Sequence, residues 1–247
     1  MCKRVARAVV SLTLLMAVMV GAAQADVVVI GTADIDGIGT GYKLIYDTGS
    51  VTDGLSPFVW LDYTHSGAFW AGQNAWASGL NALNAVTYHL NSGVTMDWGA
   101  NNWRLPSTVD GEPANYGTNG TTKSGYNITT SEMGHLYYTV LGNLAYVDKN
   151  GTPQTGTGLI NKGIFDHLKS DYWYWSGTTV ALYPTYAWAF QPVDGEQVTW
   201  GQTSYSGIYG IAVRSGQLSV VPEPSTYLLL GISLGVVGYA RRRMSVR

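Results

Sequence analysis

The single cysteine of the 247-residue chain, Cys2, restricts how the protein can be stabilised. It lies in an N-terminal segment with the three parts of a secretory signal: basic residues, the apolar run Ala8–Val20 and a small-residue cleavage site ending at Ala25. We expect signal peptidase to remove residues 1–25, which leaves an exported chain without thiols or disulfides. The ~195 residues before the C-terminal tail are enough to be held together by core burial alone.

The C-terminal tail has three parts in a fixed order. A Pro-Glu-Pro triplet comes first, followed by the uncharged apolar segment Thr226–Ala240 and a cluster of arginines. A helix over that segment would extend about 22 Å, less than a typical bilayer core, but flanking arginines can snorkel and the bilayer can thin. We therefore predict a single transmembrane helix over residues 226–240 and a basic cytoplasmic tail over residues 241–247.

This order of features resembles the PEP-CTERM sorting signal. Proteins that carry it are substrates of exosortase, a membrane protease of Gram-negative bacteria that make exopolysaccharide. The resemblance implies signal peptidase and exosortase as processing partners, transient anchoring in the inner membrane, and a final place at the cell surface or in the extracellular matrix. The processing residues would be Ala25, Pro222, Glu223 and Pro224, and the membrane anchor would end in Arg241, Arg242 and Arg243.

The charge of the exported part argues against nucleic acid as a partner. Between Asp26 and Val221 there are fifteen acidic and seven basic residues, so the net charge is about −8, and no basic run occurs. The chain is instead rich in aromatic and small residues, with 17 tyrosines, 9 tryptophans and 31 glycines. Such a composition suits loops that present aromatic faces to a neutral ligand, although a glycine-rich β domain with an aromatic core would have it too.

Apolar periodicity predicts mainly strands, with three helices. The predicted strands are Asp26–Ile30, Tyr42–Asp47, Phe58–Tyr63, a short buried strand with Trp103 and Leu105 on one face, Tyr172–Thr178, Tyr186–Phe190, Gln197–Trp200 and Gly207–Arg214. The predicted helices are Phe69–Asn91, a second one that starts at Ser131 and ends near Gly142, and an irregular one over Leu159–Ser170. Asp194-Gly195 is a hairpin turn signal, and Gly31–Gly41 is expected to form a loop.

Several short strings in this order are similar to the DUF1566 domain. They are Val59–Asp62, Trp103–Ser107, the pair Ser131-Glu132, Tyr174–Thr178, Tyr186–Phe190 and Ala212–Arg214. That domain ends the Legionella collagen-like adhesin and belongs to the C-type-lectin-like group. The resemblance implies an α+β fold, with two helices around a twisted antiparallel sheet and long loops that carry a binding surface. The chain departs from the family at Ala212, where cysteine is common, and in a longer segment over Thr108–Thr130.

These observations give a predicted domain organisation. Its parts are a signal peptide (1–25), an N-terminal strand with a glycine-rich segment (26–41), the lectin-like domain (42–215), a linker with the Pro-Glu-Pro triplet (216–225), the transmembrane helix (226–240) and the basic tail (241–247).

The sequence offers little for catalysis. It contains no G-x-S-x-G, H-E-x-x-H or S-x-x-K motif. The histidines at 65, 89, 135 and 167 are scattered, which predicts solvated or capping roles. Asp194 and Glu196 flank a hairpin tip, where turn formation accounts for the aspartate. We therefore predict that the protein is not an enzyme and has no cofactor. Calcium is the less favoured alternative, because Gln191–Asp194 has valine where a sugar-binding calcium site needs a ligand.

The candidate ligand-binding residues lie near the last strands. They are Tyr183, Trp200, Tyr205, Tyr209, Asp194, Glu196 and Gln202, and the four aromatic residues are expected to be exposed because Gly, Pro or Ser neighbours place them at loops. Sugars combine apolar C–H faces with hydroxyls, so exposed rings beside amides and carboxylates suit them. Three functions stay open: an exported module that binds a glycan or exopolysaccharide, a structural matrix protein without a discrete ligand, and a polysaccharide hydrolase that uses Asp194 or Glu196.

Overall fold

The computed structural model describes residues 27–99 and 101–220. The predicted signal peptide with Ala25, the Pro-Glu-Pro triplet, the apolar segment and the arginine cluster all lie outside the described residues. Within the described ranges, no helix is long and apolar enough to cross a membrane.

The described chain forms twelve strands and two short helices. Their bounds are β1 Val27–Ile35, β2 Gly39–Asp47, β3 Phe58–His65, α1 Trp70–Gly79, β4 Val86–Leu90, β5 Val94–Asp97, β6 Tyr116–Gly117, β7 Ser124–Gly125, α2 Glu132–Gly134, β8 Tyr174–Val180, β9 Tyr183–Gln191, β10 Glu196–Gly201, β11 Gly210–Ser215 and β12 Gln217–Val220. A π-helical segment, His135–Val140, continues α2 directly.

The strands form three sheets. The first has the order β11-β3-β2-β1-β4 and is antiparallel throughout. The second has the order β6-β7-β10-β9-β8 and is antiparallel except for the parallel pair β6 and β7. The third is the antiparallel ribbon of β5 and β12. These mostly antiparallel sheets and short helices confirm the predicted α+β class.

Strand β3 shows how the first sheet organises the core. Its residues Phe58–Asp62 are all buried, which is expected only for a strand covered on both faces. Phe58 and Trp60 pack against the second helix, in a cluster with Met133, Leu136 and Tyr137. Val59 and Leu61 pack on the other face, against Trp103 and the ribbon of β5 and β12. The first sheet is therefore the middle layer of the domain.

An ion pair with a buried carboxylate connects the start of the second helix to the segment Trp103–Ser107. Ser131 caps the helix by accepting a hydrogen bond from the Gly134 N–H at 3.0 Å. The next residue, Glu132, accepts two hydrogen bonds from the Arg104 guanidinium, at 2.6 and 2.7 Å, and a third from the Ser107 N–H at 2.6 Å. Two of the short strings noted in the sequence thus contact each other directly.

One of the predicted helices is too long, and another is absent. The helix predicted over Phe69–Asn91 ends at Gly79, and Val86–Leu90 is a strand that pairs with β1. Asn84 adopts a positive φ of 64°, which ends any helical path between them. The segment Leu159–Ser170 contains no helix at all, although Phe165 and Leu168 are buried as expected.

Two predictions about strands also need correction. The predicted strand around Trp103 is a single bridge between Arg104 and Val213, and Trp103 and Leu105 pack in different clusters rather than on one face. The predicted loop Gly31–Gly41 is mostly strand, with a turn only at residues 36–38. Both errors have the same cause, because the pairing of a segment with other segments decides where a strand forms.

Candidate ligand-binding site

The structure divides the seven predicted ligand-binding residues into three groups. Trp200, Tyr205 and Tyr209 lie around one aromatic cleft. Tyr183 and Gln202 lie at the start of β9, and Asp194 and Glu196 lie at the other end of β10. Because β10 is extended, Glu196 and Trp200 are about 13 Å apart along the strand. The three groups therefore do not form one site.

The aromatic cleft has a volume of about 140 Å³ and is lined by Tyr172, Trp173, Trp200, Tyr205 and Ile208. The ring of Trp200 is in T-shaped contact with Trp173 at 5.6 Å and with Tyr205 at 4.8 Å between centroids. Tyr172 similarly contacts Tyr209 at 6.4 Å. Perpendicular rings of this kind present both faces and edges to an occupant.

Hydrogen bonds from ordered strands hold the cleft residues in place. The N–H of Tyr209 donates to the Trp173 carbonyl at 2.9 Å, and the N–H of Trp175 donates to the Tyr209 carbonyl at 3.0 Å. Trp200 is fixed by the β10–β9 pairing, in register with Ala187. Behind the cleft lie buried Trp175, Ala187 and Ala189. The walls of the cleft are thus attached to a rigid sheet, although Tyr205 itself is on a loop.

The polar groups of the cleft are few. The indole Nε1 of Trp200 is buried and has no hydrogen-bond partner among the described residues. A buried donor without a partner costs roughly 1–3 kcal/mol. The Tyr209 hydroxyl donates to the Asp171 carboxylate at 3.2 Å, and burial together with the charge of Asp171 raises the pKa of Tyr209. The cleft is mainly apolar, with a hydroxyl and a carboxylate at its edge.

The expectation that all four aromatic candidates are exposed is partly wrong. Tyr183 and Tyr205 are exposed, at 51% and 41%. Trp200 and Tyr209 are half-buried, because each packs against other rings of the cleft. Two lining residues, Tyr172 and Trp173, were missing from the prediction because they precede β8 and were counted as part of that strand. The repeat of aromatic residues over Tyr172–Trp175 was the signal that could have indicated them.

The second group has an internal role. Gln202 donates to the carbonyls of Pro184 and Tyr186 at 2.9 and 3.3 Å, so its amide is used within the protein. The rings of Tyr183 and Tyr186 contact each other at 6.3 Å. Tyr186 pairs with Gly201, one residue from Trp200, and alternate residues of a strand point to opposite faces. Tyr186 is therefore on the other face of the sheet from Trp200.

Asp194 and Glu196 form the third group, at the predicted β9–β10 hairpin turn, which the structure confirms. Asp194 accepts the Glu196 N–H at 3.0 Å, and Tyr116 donates to Glu196 at 2.5 Å. Burial raises the pKa of both carboxyl groups, although hydrogen bonds from the Glu196 N–H to Asp194 and from Tyr116 to Glu196 act in the opposite direction. Their hydrogen bonds stabilise the turn and connect it to β6.

A different cluster of polar groups is fully buried, contrary to the solvated role predicted for histidine. His135 is within hydrogen-bond distance of Asp53 at 2.8 Å and Asp47 at 3.2 Å. Asp47 also accepts the indole N–H of Trp60 at 3.1 Å, and Asp53 accepts the Thr139 hydroxyl at 2.9 Å. Burial lowers the pKa of His135, but the two aspartates more than offset it, so the pKa is raised. This network is saturated internally and has no room for a ligand.

No set of three or more His, Cys, Asp or Glu side chains is arranged to hold a metal ion in residues 27–99 and 101–220. Asp34, in the aspartate-glycine segment near the N-terminus, instead accepts the Gly41 N–H and pairs with His89, both at 2.9 Å.

The described domain and its tail together define an α+β exported domain followed by a sorting signal. Residues 220–243 match the model of the PEP-CTERM protein-sorting motif. This match covers the Pro-Glu-Pro triplet, the apolar segment and the arginine cluster. It supports export, membrane-anchored sorting and processing by exosortase. No curated protein and no solved structure matches the chain.

Proposed function

We propose that the exported domain is a glycan-binding module of the cell surface or extracellular matrix, and that its ligand occupies the aromatic cleft. The observation that carries the proposal is the convergence of Tyr172, Trp173, Trp200 and Tyr205 around one opening. Clustered rings favour the apolar faces of sugars. The sorting motif supports delivery to the outside of the cell, where such ligands are abundant.

We further propose that the fold belongs to the C-type-lectin-like group. In support, the strings that resemble the DUF1566 domain form one connected core. Trp60 of β3, Tyr174 of β8, Phe190 of β9 and Val213 of β11 share a single hydrophobic cluster. The pair of Arg104 and Glu132 then connects the remaining two strings.

A binding role is favoured over hydrolysis by the placement of the carboxylates. Asp194 and Glu196 lie at the far end of β10 from the cleft, and both are engaged in the turn. Asp171 is the carboxylate beside the cleft that the structure describes, and it accepts the Tyr209 hydroxyl. Glycosidases generally use two carboxyl groups that flank one bond. The proposed function therefore has no catalytic step.

The test is calorimetric titration of purified residues 26–221 with the exopolysaccharide of the producing organism, with and without calcium. We expect saturable binding that does not depend on calcium. Tyr205→Ala should weaken the affinity at least tenfold, which is about 1.4 kcal/mol, because it removes an exposed wall of the cleft. Tyr186→Ala is the matched control, since it removes a similarly exposed tyrosine on the other face of the sheet from Trp200.

The outcomes separate the candidate functions. Equal weakening by the two substitutions, with the fold intact by circular dichroism, would place the ligand elsewhere. Absence of binding at high concentration would favour the structural matrix protein. Release of reducing sugar that disappears in Glu196→Gln would favour the hydrolase.

A further inference from the structure

The two ends of the first sheet are defined by the strand residues that lie there. The starts of β1 and β3 and the ends of β2 and β11 lie in one row, with Val27 opposite Asp47, Asp47 opposite Phe58, and Phe58 opposite Ser215. We call this end of the sheet the proximal end. The opposite, distal end carries the pair His65 and Gly210.

The sorting tail leaves the domain at the proximal end. The last strand, β12, pairs with β5 so that Val220 is opposite Val94. The N–H of Val94 donates to the Asn91 carbonyl at 3.1 Å, and Asn91 in turn donates to the carbonyls of Ile30 and Val29, both at 2.9 Å. The exit of β12 is thus fixed beside the β4–β5 turn and the start of β1.

The chain between this exit and the apolar segment is short. The sorting motif begins at Val220 itself, and five residues separate Val220 from Thr226. Even fully extended, that connection reaches about 20 Å. A domain of this size is about 40 Å across. If the apolar segment is inserted, the proximal end must stay near the bilayer, and the distal end cannot reach it.

The surface composition of the proximal end fits a position next to lipid headgroups. The segments 27–30, 48–57, 91–95 and 219–220 contain one charged residue, Asp53, whose carboxylate is bound to His135 and Thr139. Val51 is fully exposed there, and Val28 is 47% exposed. A surface with so little exposed charge is not repelled by an anionic bilayer.

We propose that the proximal end faces the headgroups of the membrane in the anchored precursor. This end consists of the start of β1, the β2–β3 connection, the β4–β5 turn and the exit of β12. The partner is the bilayer surface itself. The proposal rests on membrane insertion of Thr226–Ala240, and it is independent of glycan binding.

The aromatic cleft lies at the distal end. The N–H of Ala68 donates to the Ile208 carbonyl at 3.1 Å, and the backbone of Gly67 is in direct contact with that of Gly207, just beyond the pair His65 and Gly210. Strand β3 has eight residues, so this loop is at least about 20 Å from the proximal end. The proposed orientation therefore leaves the cleft open to the outside while the precursor is anchored.

The experiment uses residues 26–247 reconstituted in vesicles that carry a quencher on their lipid headgroups. Two exposed serines on turns form a matched pair, Ser92 at the proximal end and Ser206 at the distal end. Since residues 26–247 contain no cysteine, Ser92→Cys and Ser206→Cys each give one thiol for a fluorophore. We expect quenching of the label at 92 to exceed that at 206 at least threefold. Equal quenching, or stronger quenching at 206, would overturn the proposal.

A longer connection tests whether the short tether causes the proposed orientation. Twenty Gly/Ser residues inserted after Val221 add a flexible chain of about 25 Å, and the difference between the two labels should shrink. A difference that survives the insertion would overturn the argument from tether length. Failure of the unmodified precursor to float with the vesicles would overturn the proposal as well, because the apolar segment would not be an anchor.

Discussion

Arg104 is the residue that joins the middle of the chain to the second helix. Its guanidinium donates to both oxygens of Glu132, a carboxylate that is almost fully buried. Bidentate pairs with this geometry are among the stronger ion pairs, and removal of one partner leaves the other desolvated and unpaired. We therefore expect the pair to contribute substantially to the free energy of unfolding, even though Arg104 is partly exposed.

We predict that Arg104→Ala lowers the free energy of unfolding by about 2–4 kcal/mol, less than a fully buried pair would cost because Arg104 is partly exposed. Arg104→Lys should fall between this variant and the wild type, since lysine keeps the charge without the fork. Denaturant unfolding followed by tryptophan fluorescence measures the change. Lys149→Ala, at an exposed lysine, is the control and should stay within about 0.5 kcal/mol. An equally small effect at Arg104 would contradict the prediction.

At the scale of elements, hydrogen bonds between a histidine and two aspartates connect the π-helical segment to β2 and the β2–β3 connection. His135 opens that segment and contacts Asp47 at the end of β2 and Asp53 in the connection. Its raised pKa means that folding favours the protonated ring. The resulting stability is fully present below the unfolded pKa of about 6.5 and is lost as the pH rises through the higher folded pKa. Hydrogen bonds from Thr129, His135 and Thr139 offset the burial of Asp53 and lower its pKa, so its contribution is lost only in acid.

We predict that the free energy of unfolding falls between pH 6 and pH 9, and that His135→Gln removes most of this fall while it lowers stability at pH 6. Chemical denaturation at a series of pH values gives the profile. His89→Gln changes an exposed histidine paired with Asp34 and should keep the wild-type slope. The same slope in His135→Gln would show that other groups cause it.

The elements also show why the sequence predicted some features and missed others. Strands such as Phe58–Tyr63 were predictable because their apolar residues alternate or are continuous. The helix over Phe69–Asn91 was overestimated because Val86, Tyr88 and Leu90 fit helical spacing and strand alternation alike, and only pairing with β1 decides between them. The cleft was half-predicted for a similar reason. Trp200 and Tyr205 are close in sequence, so they could be predicted together. Tyr172 and Trp173 are distant from them in sequence, and the hydrogen bond between Tyr209 and Trp173 holds them beside the cleft.

At the scale of the whole molecule, the exit of β12 and the aromatic cleft lie at opposite ends of the first sheet. The tail leaves beside the β4–β5 turn, and the cleft lies past the distal end of β3. A protein that is first anchored and later released would then have the same binding surface in both states. This arrangement follows from the topology alone, since β11 runs from the cleft to the proximal end and β12 carries the chain onward to the exit.

We predict that the anchored precursor, residues 26–247 in vesicles, binds exopolysaccharide with an affinity within about threefold of that of soluble residues 26–221, a difference of less than about 0.7 kcal/mol. The physical reason is that a connection of about 20 Å keeps the bilayer away from the cleft. Flotation of vesicles with labelled polysaccharide measures the anchored form, and calorimetry measures the soluble one. Tyr205→Ala should weaken both forms equally, because it alters the cleft and not the tether. An anchored form that binds tenfold more weakly, while the soluble form is unaffected, would mean that the bilayer covers the cleft and that the two ends of the domain are not separated in the way the topology implies.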